Sequence, residues 1–98
     1  MEALTIKWTK IALKQNINIA EWYRINLGQK AASHYMHDVE RTILLLAKFP
    51  RMGQPEVYKI SSKRDYYSFL IHPKYRVIYY FTETTLCIQA FRCTLKRR

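Results

Sequence analysis

Glycine and proline are rare in this chain, two and three residues in 98. With 49% hydrophobic residues and eight tyrosines, that scarcity excludes a disordered or linker-like protein and implies a packed core. Cysteine is as rare as glycine. Cys87 and Cys93 are too few for a disulfide framework and read as free thiols. Long apolar runs are missing too. The longest, Ile43 to Ala47, falls far short of the roughly 20 residues that span a bilayer, so no membrane association is expected. The opening MEALTIKWTK has no charged-then-apolar leader pattern, and a cytoplasmic protein is expected. Acidic residues are the last shortage, seven against 17 Lys and Arg.

The resulting charge of +10 is uneven. Residues 1–49 carry seven basic and four acidic side chains, and residues 50–98 carry ten and three, so the halves stand at +3 and +7. Such a bias predicts long-range attraction to a polyanion, either nucleic acid or an acidic protein, without choosing between them. The length argues for one domain over residues 1–98, since about a hundred residues suffice to close one core.

What is present reads as two helices and several strands. LTIKWT alternates apolar residues at 4, 6 and 8, a short first strand. Thr9 suits an N-cap for a helix over 10–27, with Ile11, Lys14, Ile17, Ala20, Trp22, Tyr23 and Leu27 at helical spacing and Gly28 as its stop. Ala32, Tyr35, Met36, Val39, Ile43, Leu46 and Ala47 form an apolar stripe on a second helix, about 29–49, ended by Pro50. The short connection predicts an antiparallel hairpin, and PRMGQP reads as a loop. Four strand-like segments follow, at 57–61, 66–71, 75–82 and 85–93. The predicted fold class is α+β: a first strand, then an antiparallel helical hairpin covering one face of an antiparallel sheet.

Arg76 stands out in YRVIYYF because a buried strand should hold no charge. If Glu83 and Thr84 close a two-residue hairpin, Phe81, Tyr79 and Val77 face Leu86, Ile88 and Ala90. That apolar face would lie under the helices. The other face would pair Tyr80 with Cys87, Ile78 with Gln89, and Arg76 with Phe91. A slip of one residue would bury Arg76 and Gln89 at a large desolvation cost. The uncovered face should gather Lys59, Lys63, Arg64, Lys74 and Arg92, with Lys96 and its neighbours at the end, among Tyr67, Phe69, Tyr80 and Phe91. Cations interleaved with aromatics suit phosphate binding with base stacking, and equally an acidic, partly apolar protein segment.

IKWTKIALKQNINIAEWY, VERTILLLAKFPRMGQP and YYSFLIHPKYRVIYYFTETTLCIQAF together resemble toxins of the RelE/ParE superfamily of bacterial type II toxin–antitoxin systems, in the family's order and over nearly the whole chain. The resemblance implies a toxin silenced by a cognate antitoxin whose C-terminal segment wraps it, with a toxin–antitoxin hetero-oligomer to match. Two kinds of target are implied: RelE-like members cleave mRNA in the ribosomal A site, and ParE-like members poison DNA gyrase. Arg76 matches the family's strand arginine, and Lys59 matches its upstream lysine strand more loosely. For a metal-independent ribonuclease these would contact the scissile phosphate. RelE-like enzymes usually place a tyrosine or histidine acid near the C-terminus, and here only RCTLKRR follows Phe91. Tyr67 also stands where many relatives carry arginine. The catalytic set is incomplete, so the resemblance leans to the ParE-like side, with a ribonuclease and a non-toxic antitoxin-binding member as alternatives. Arg64, Tyr67, Arg76, Tyr80, Gln89, Phe91, Arg92 and Lys96 are the expected contacts to antitoxin, RNA or target. An acidic amphipathic antitoxin segment is expected to cover this face.

Other chemistry has little support. His34 and His37 are spaced i, i+3 beside Asp38 but lack a third ligand, so they read as surface residues and no metal or cofactor is expected. His72 reads as a turn residue, and Trp8 and Trp22 as core. No phosphate-binding loop, dinucleotide fingerprint or nucleophile elbow occurs.

Overall fold

The computed structural model describes residues 3–56, 64–71 and 75–93 in full, and His72 in its backbone. Strand β1 (Thr5–Trp8) leads to helix α1 (Lys10–Leu27), helix α2 (Gln29–Lys48) and a single 3-10 turn at Pro50–Met52. Strands β2 (Gln54–Pro55), β3 (Tyr67–His72), β4 (Tyr75–Phe81) and β5 (Thr85–Cys93) complete the sheet, in the order β1-β5-β4-β3-β2. Neighbours pair antiparallel except β1, which lies parallel to β5. The expected strand at 57–61 lies outside the described residues, and β2 formed where a loop was expected. No helix among the described residues is long and apolar enough to cross a membrane.

The helices start and stop for the reasons the sequence suggests. The Thr9 hydroxyl accepts a hydrogen bond from the Ala12 N–H, 3.0 Å away, satisfying an orphan donor of the first turn. Gly28 turns the chain between helices at φ 102°, a conformation that costs side-chain-bearing residues strain. The same glycine N–H bonds the Tyr23 and Arg24 carbonyls. Pro50 then cannot continue α2.

Helix α2 buries the expected stripe of Ala32, Tyr35, Val39, Ile43, Leu46 and Ala47, but Met36 stays exposed. Helix α1 departs further. Its buried side is Ala12, Asn16 and Tyr23, whereas Ile11, Ile17, Trp22 and Leu27 are exposed. Trp22 is therefore not core. The reason is visible in the contacts: a polar residue, Asn16, takes a buried position because Tyr35 donates its hydroxyl to Asn16 Oδ1 at 2.9 Å. Tyr35 also stacks on Tyr23 with ring centroids 5.3 Å apart. Apolar spacing alone could not reveal a face anchored by an asparagine. Trp8 is half-buried and stacks on Phe91 at 5.8 Å.

Under the helices, Val77, Tyr79, Leu86 and Ile88 are fully buried. Each buried aliphatic side chain contributes about 1.5–3 kcal/mol, so this layer is where the sheet's stability is concentrated.

Candidate functional site

The hairpin around Glu83 and Thr84 forms as expected, with the Thr82 N–H donating to the Thr85 carbonyl at 2.8 Å. Phe81 pairs Leu86, Tyr80 pairs Cys87 and Tyr79 pairs Ile88. Beyond that point β5 bulges. Ile78 pairs Ala90, Val77 pairs Phe91 and Arg76 pairs Arg92, so Gln89 has no partner on β4. The Thr9 hydroxyl donates to the Gln89 carbonyl at 2.9 Å, and the Gln15 side chain accepts from the Phe91 N–H at 2.7 Å. These bonds hold the bulge against α1.

The bulge reverses the facing of the end of β5. Phe91 turns under the helices, where it is buried against Trp8, and is not the open-face partner of Arg76. Arg92 takes that place. Tyr67 and Phe69 also belong to the covered face, since they pair with Tyr79 and Val77; Tyr67 stacks on Tyr79 at 5.9 Å. Strict alternation cannot anticipate a one-residue insertion in the ladder.

Arg76 does lie on the open face, half-buried. Its Nε donates to the Ser68 hydroxyl at 3.1 Å, and its Nη2 donates to Gln54 Oε1 at 3.2 Å and the Ser68 carbonyl at 3.5 Å. All three acceptors are neutral, so among the described residues the guanidinium is oriented with no carboxylate paired to it. Arg92 differs. It makes a two-pronged pair with Glu56, 2.5 and 3.2 Å long, and the Glu56 side chain is only 2% exposed. Glu56 directly follows β2, and Arg92 is on β5, so the pair reaches over β3 and β4. At the other end of this face, Tyr80 meets the edge of Tyr66, and Arg64 lies 4.2 Å over the Tyr80 ring. A bond to the Cys87 thiol, then burial, raises the Tyr80 pKa, keeping its phenol protonated.

The segment carrying Gln54 and Glu56 is held from beneath. The Tyr79 hydroxyl donates to the Pro50 carbonyl at 2.6 Å and accepts from the Gly53 N–H at 3.1 Å. Burial pushes the Tyr79 phenol up to about 12. A Cβ at residue 53 would sit 2.4 Å from that hydroxyl and 2.7 Å from the Ser68 carbonyl, so glycine is required for close approach rather than for φ.

The structure thus brings Arg76, Arg92, Tyr80 and Arg64 to the open side, with Gln54, Ser68 and Glu56 added. Sequence reasoning missed Gln54 because PRMGQP looked like plain loop, Glu56 because it falls between that loop and the next expected strand, and Ser68 because a serine within an expected strand carries no signal of its own. Lys59, Lys63 and Lys96 lie outside the described residues, as do Lys74 and the side chain of His72. Among the described residues no three His, Cys, Asp or Glu gather as a metal site.

A family model for the ParE toxin of the type II toxin–antitoxin system parDE matches residues 6–95. A search of the curated proteins finds no match. Among solved structures, the chromosomal ParDE toxin–antitoxin system from P. aeruginosa matches with a TM-score of 0.76 at 13% identity, over 95% of this chain and 98% of that one. A YoeB/ParE toxin from Agrobacterium tumefaciens matches at 0.59 and 14%, covering 94% and 100%. The E. coli DinJ–YafQ toxin–antitoxin complex matches at 0.60 and 17%, covering 94% and 93%. At such identities the structural likeness concerns the fold, while the family model covers nearly all of the sequence. The chain belongs to the ParE toxin family of type II toxin–antitoxin systems, within the RelE/ParE superfamily.

Proposed function

We propose that this toxin inhibits growth by acting on a protein, DNA gyrase in the ParE manner, and that a cognate antitoxin silences it. The observation that carries the reading is the state of the two sheet arginines. Metal-free RNA cleavage needs cations available to the phosphorane and an acid for the leaving oxygen. Arg92 instead holds the buried Glu56 carboxylate, which would repel an incoming phosphate. Among the described residues, no tyrosine, histidine or carboxylate is hydrogen-bonded to Arg76; its acceptors are Ser68 and Gln54. Among the described residues, Arg76 is a cation with no proton-transfer group hydrogen-bonded to it, which supports contact with a partner over catalysis.

The helices support a protein partner. Ile17 and Met36 are exposed and line a groove of about 500 Å³ between α1 and α2, with the small residues Ala20 and Ala32 also lining it. Exposed apolar side chains along such a groove suit a protein interface. Two structural neighbours are themselves described as toxin–antitoxin systems, which supports an antitoxin for this chain. Its acidic amphipathic segment would cover the open face, pairing a carboxylate with Arg76, in a cytoplasmic hetero-oligomer.

The test incubates the purified toxin with DNA gyrase and relaxed plasmid. Lost supercoiling or trapped cleaved DNA is expected. Unaffected gyrase beside a preparation that arrests growth would overturn the target.

A further inference from the structure

A second site lies where β4 ends and β3 begins. Arg51, Arg64, Asp65, Tyr67, Tyr80 and Phe81 line a polar pocket of about 330 Å³ there. It is separate from the Arg76 cluster, since Tyr80 is four residues along β4, roughly 13 Å at the usual strand rise. Tyr80 and Phe81 are consecutive and point to opposite faces of the sheet. Arg64 lies 4.2 Å over the Tyr80 ring, and Arg51 lies 5.5 Å over the Phe81 ring. Two guanidiniums therefore approach the end of one strand from both of its faces.

The chemistry of that arrangement is restrictive. A guanidinium lying over a ring has its flat side occupied, and its edge still offers parallel N–H donors in the geometry of a planar oxyanion. The covered faces of Tyr80 and Phe81 are unavailable to a nucleobase, which removes the stacking that single-stranded nucleic acid would use. Asp65 places a negative charge in the same pocket. Its carboxylate can accept a peptide N–H, a donor that a phosphodiester backbone does not offer.

We propose that this pocket grips an Asp or Glu carboxylate of an acidic segment in a protein partner, as an anchor separate from Arg76. The inference rests on the reading that the toxin's partners are proteins.

The test titrates the full chain into a fluorescein-labelled octaglutamate peptide at about 0.15 M salt, where charges more than about 8 Å apart are largely screened, and reads anisotropy. Arg51→Gln with Arg64→Gln should weaken binding about tenfold or more, as expected on losing two charge-assisted donors. Lys14→Gln with Lys30→Gln removes the same charge from the helices and should cost less than about threefold, the loss of screened, non-specific attraction. Arg51→Lys with Arg64→Lys keeps the charge and should recover only part of the affinity. Equal losses from the arginine and lysine pairs would overturn the proposal. So would a labelled twelve-residue oligothymidylate that depends on the arginine pair more steeply than the peptide does. Because gyrase is absent from this titration, a failed gyrase assay and a failed pocket would be told apart.

Discussion

Tyr79→Phe probes the connection between the core and the open face. The hydroxyl is fully buried and makes two hydrogen bonds, 2.6 Å to the Pro50 carbonyl and 3.1 Å from the Gly53 N–H. Phenylalanine fills the ring's space and removes both, leaving a carbonyl and an N–H without that partner beneath the sheet. Pro50 and Gly53 are half-buried, so each lost bond costs about 0.5–1.5 kcal/mol, and for a domain of this size that lowers Tm by roughly 4–8 °C per kcal/mol. Residues 50–56 should loosen locally, because the hydroxyl bonds both ends of the turn that delivers Gln54 to Arg76. Urea unfolding would measure the change, with the midpoint falling and the slope unchanged. Gly53→Ala, whose Cβ would meet both the Tyr79 hydroxyl at 2.4 Å and the Ser68 carbonyl at 2.7 Å, should also destabilise, and should cost less in the Tyr79→Phe background, where one of the two collisions is gone. A loss below about 0.3 kcal/mol for Tyr79→Phe, or strict additivity of the two substitutions, would refute the holding role of the Tyr79 hydroxyl between Pro50 and Gly53.

Further predictions concern the helices, the alkaline limit and the antitoxin. Tyr35→Phe removes the donor to the buried Asn16 and should cost about 1–3 kcal/mol by urea unfolding, with Asn16→Ala costing little more in that background. Stability should fall in base. The Tyr79 pKa rises from 10.0 to about 12 on folding, so its contribution is complete below pH 10.0 and is lost as pH climbs to about 12. Tyr79→Phe should make that fall in Tm shallower, while other tyrosines raised by burial, Tyr35 foremost, keep it from vanishing. Arg76→Glu should weaken the antitoxin complex by about 2–5 kcal/mol if a carboxylate pairs with the guanidinium. Titration calorimetry on a variant with native circular dichroism would read this, and unchanged affinity would count against that placement.

The architecture was legible wherever a local rule carries the signal. Thr9, Gly28 and Pro50 mark helix ends through capping and φ, and the hairpin at Thr82–Thr85 sets a register that holds through Tyr79 and Ile88. Legibility ended at Gln89. Its bulge is held by Thr9 and flanked by Gln15, about eighty residues away in sequence, and that tertiary contact leaves no trace in strand alternation. Phe91 was therefore assigned to the wrong face, and the juxtaposition of Arg76 with Arg92 was missed. Tyr67 was misplaced for a related reason, because nothing in its own segment sets the register of β3 on β4. Glu56 and Gln54 were invisible because their roles arise only once Tyr79 ties down Pro50 and Gly53. Arg76 itself was placed correctly by the cost of burying a charge.

The proposal that the toxin poisons a protein and does not cut RNA has one direct test. Purified toxin, wild type and Arg76→Ala, should be incubated with programmed ribosomes and mRNA, and the RNA ends mapped. Intact message is expected with both proteins, from a preparation that arrests growth in cells. Cleavage by the wild type that disappears in Arg76→Ala would contradict it and make the open sheet face a ribonuclease active site.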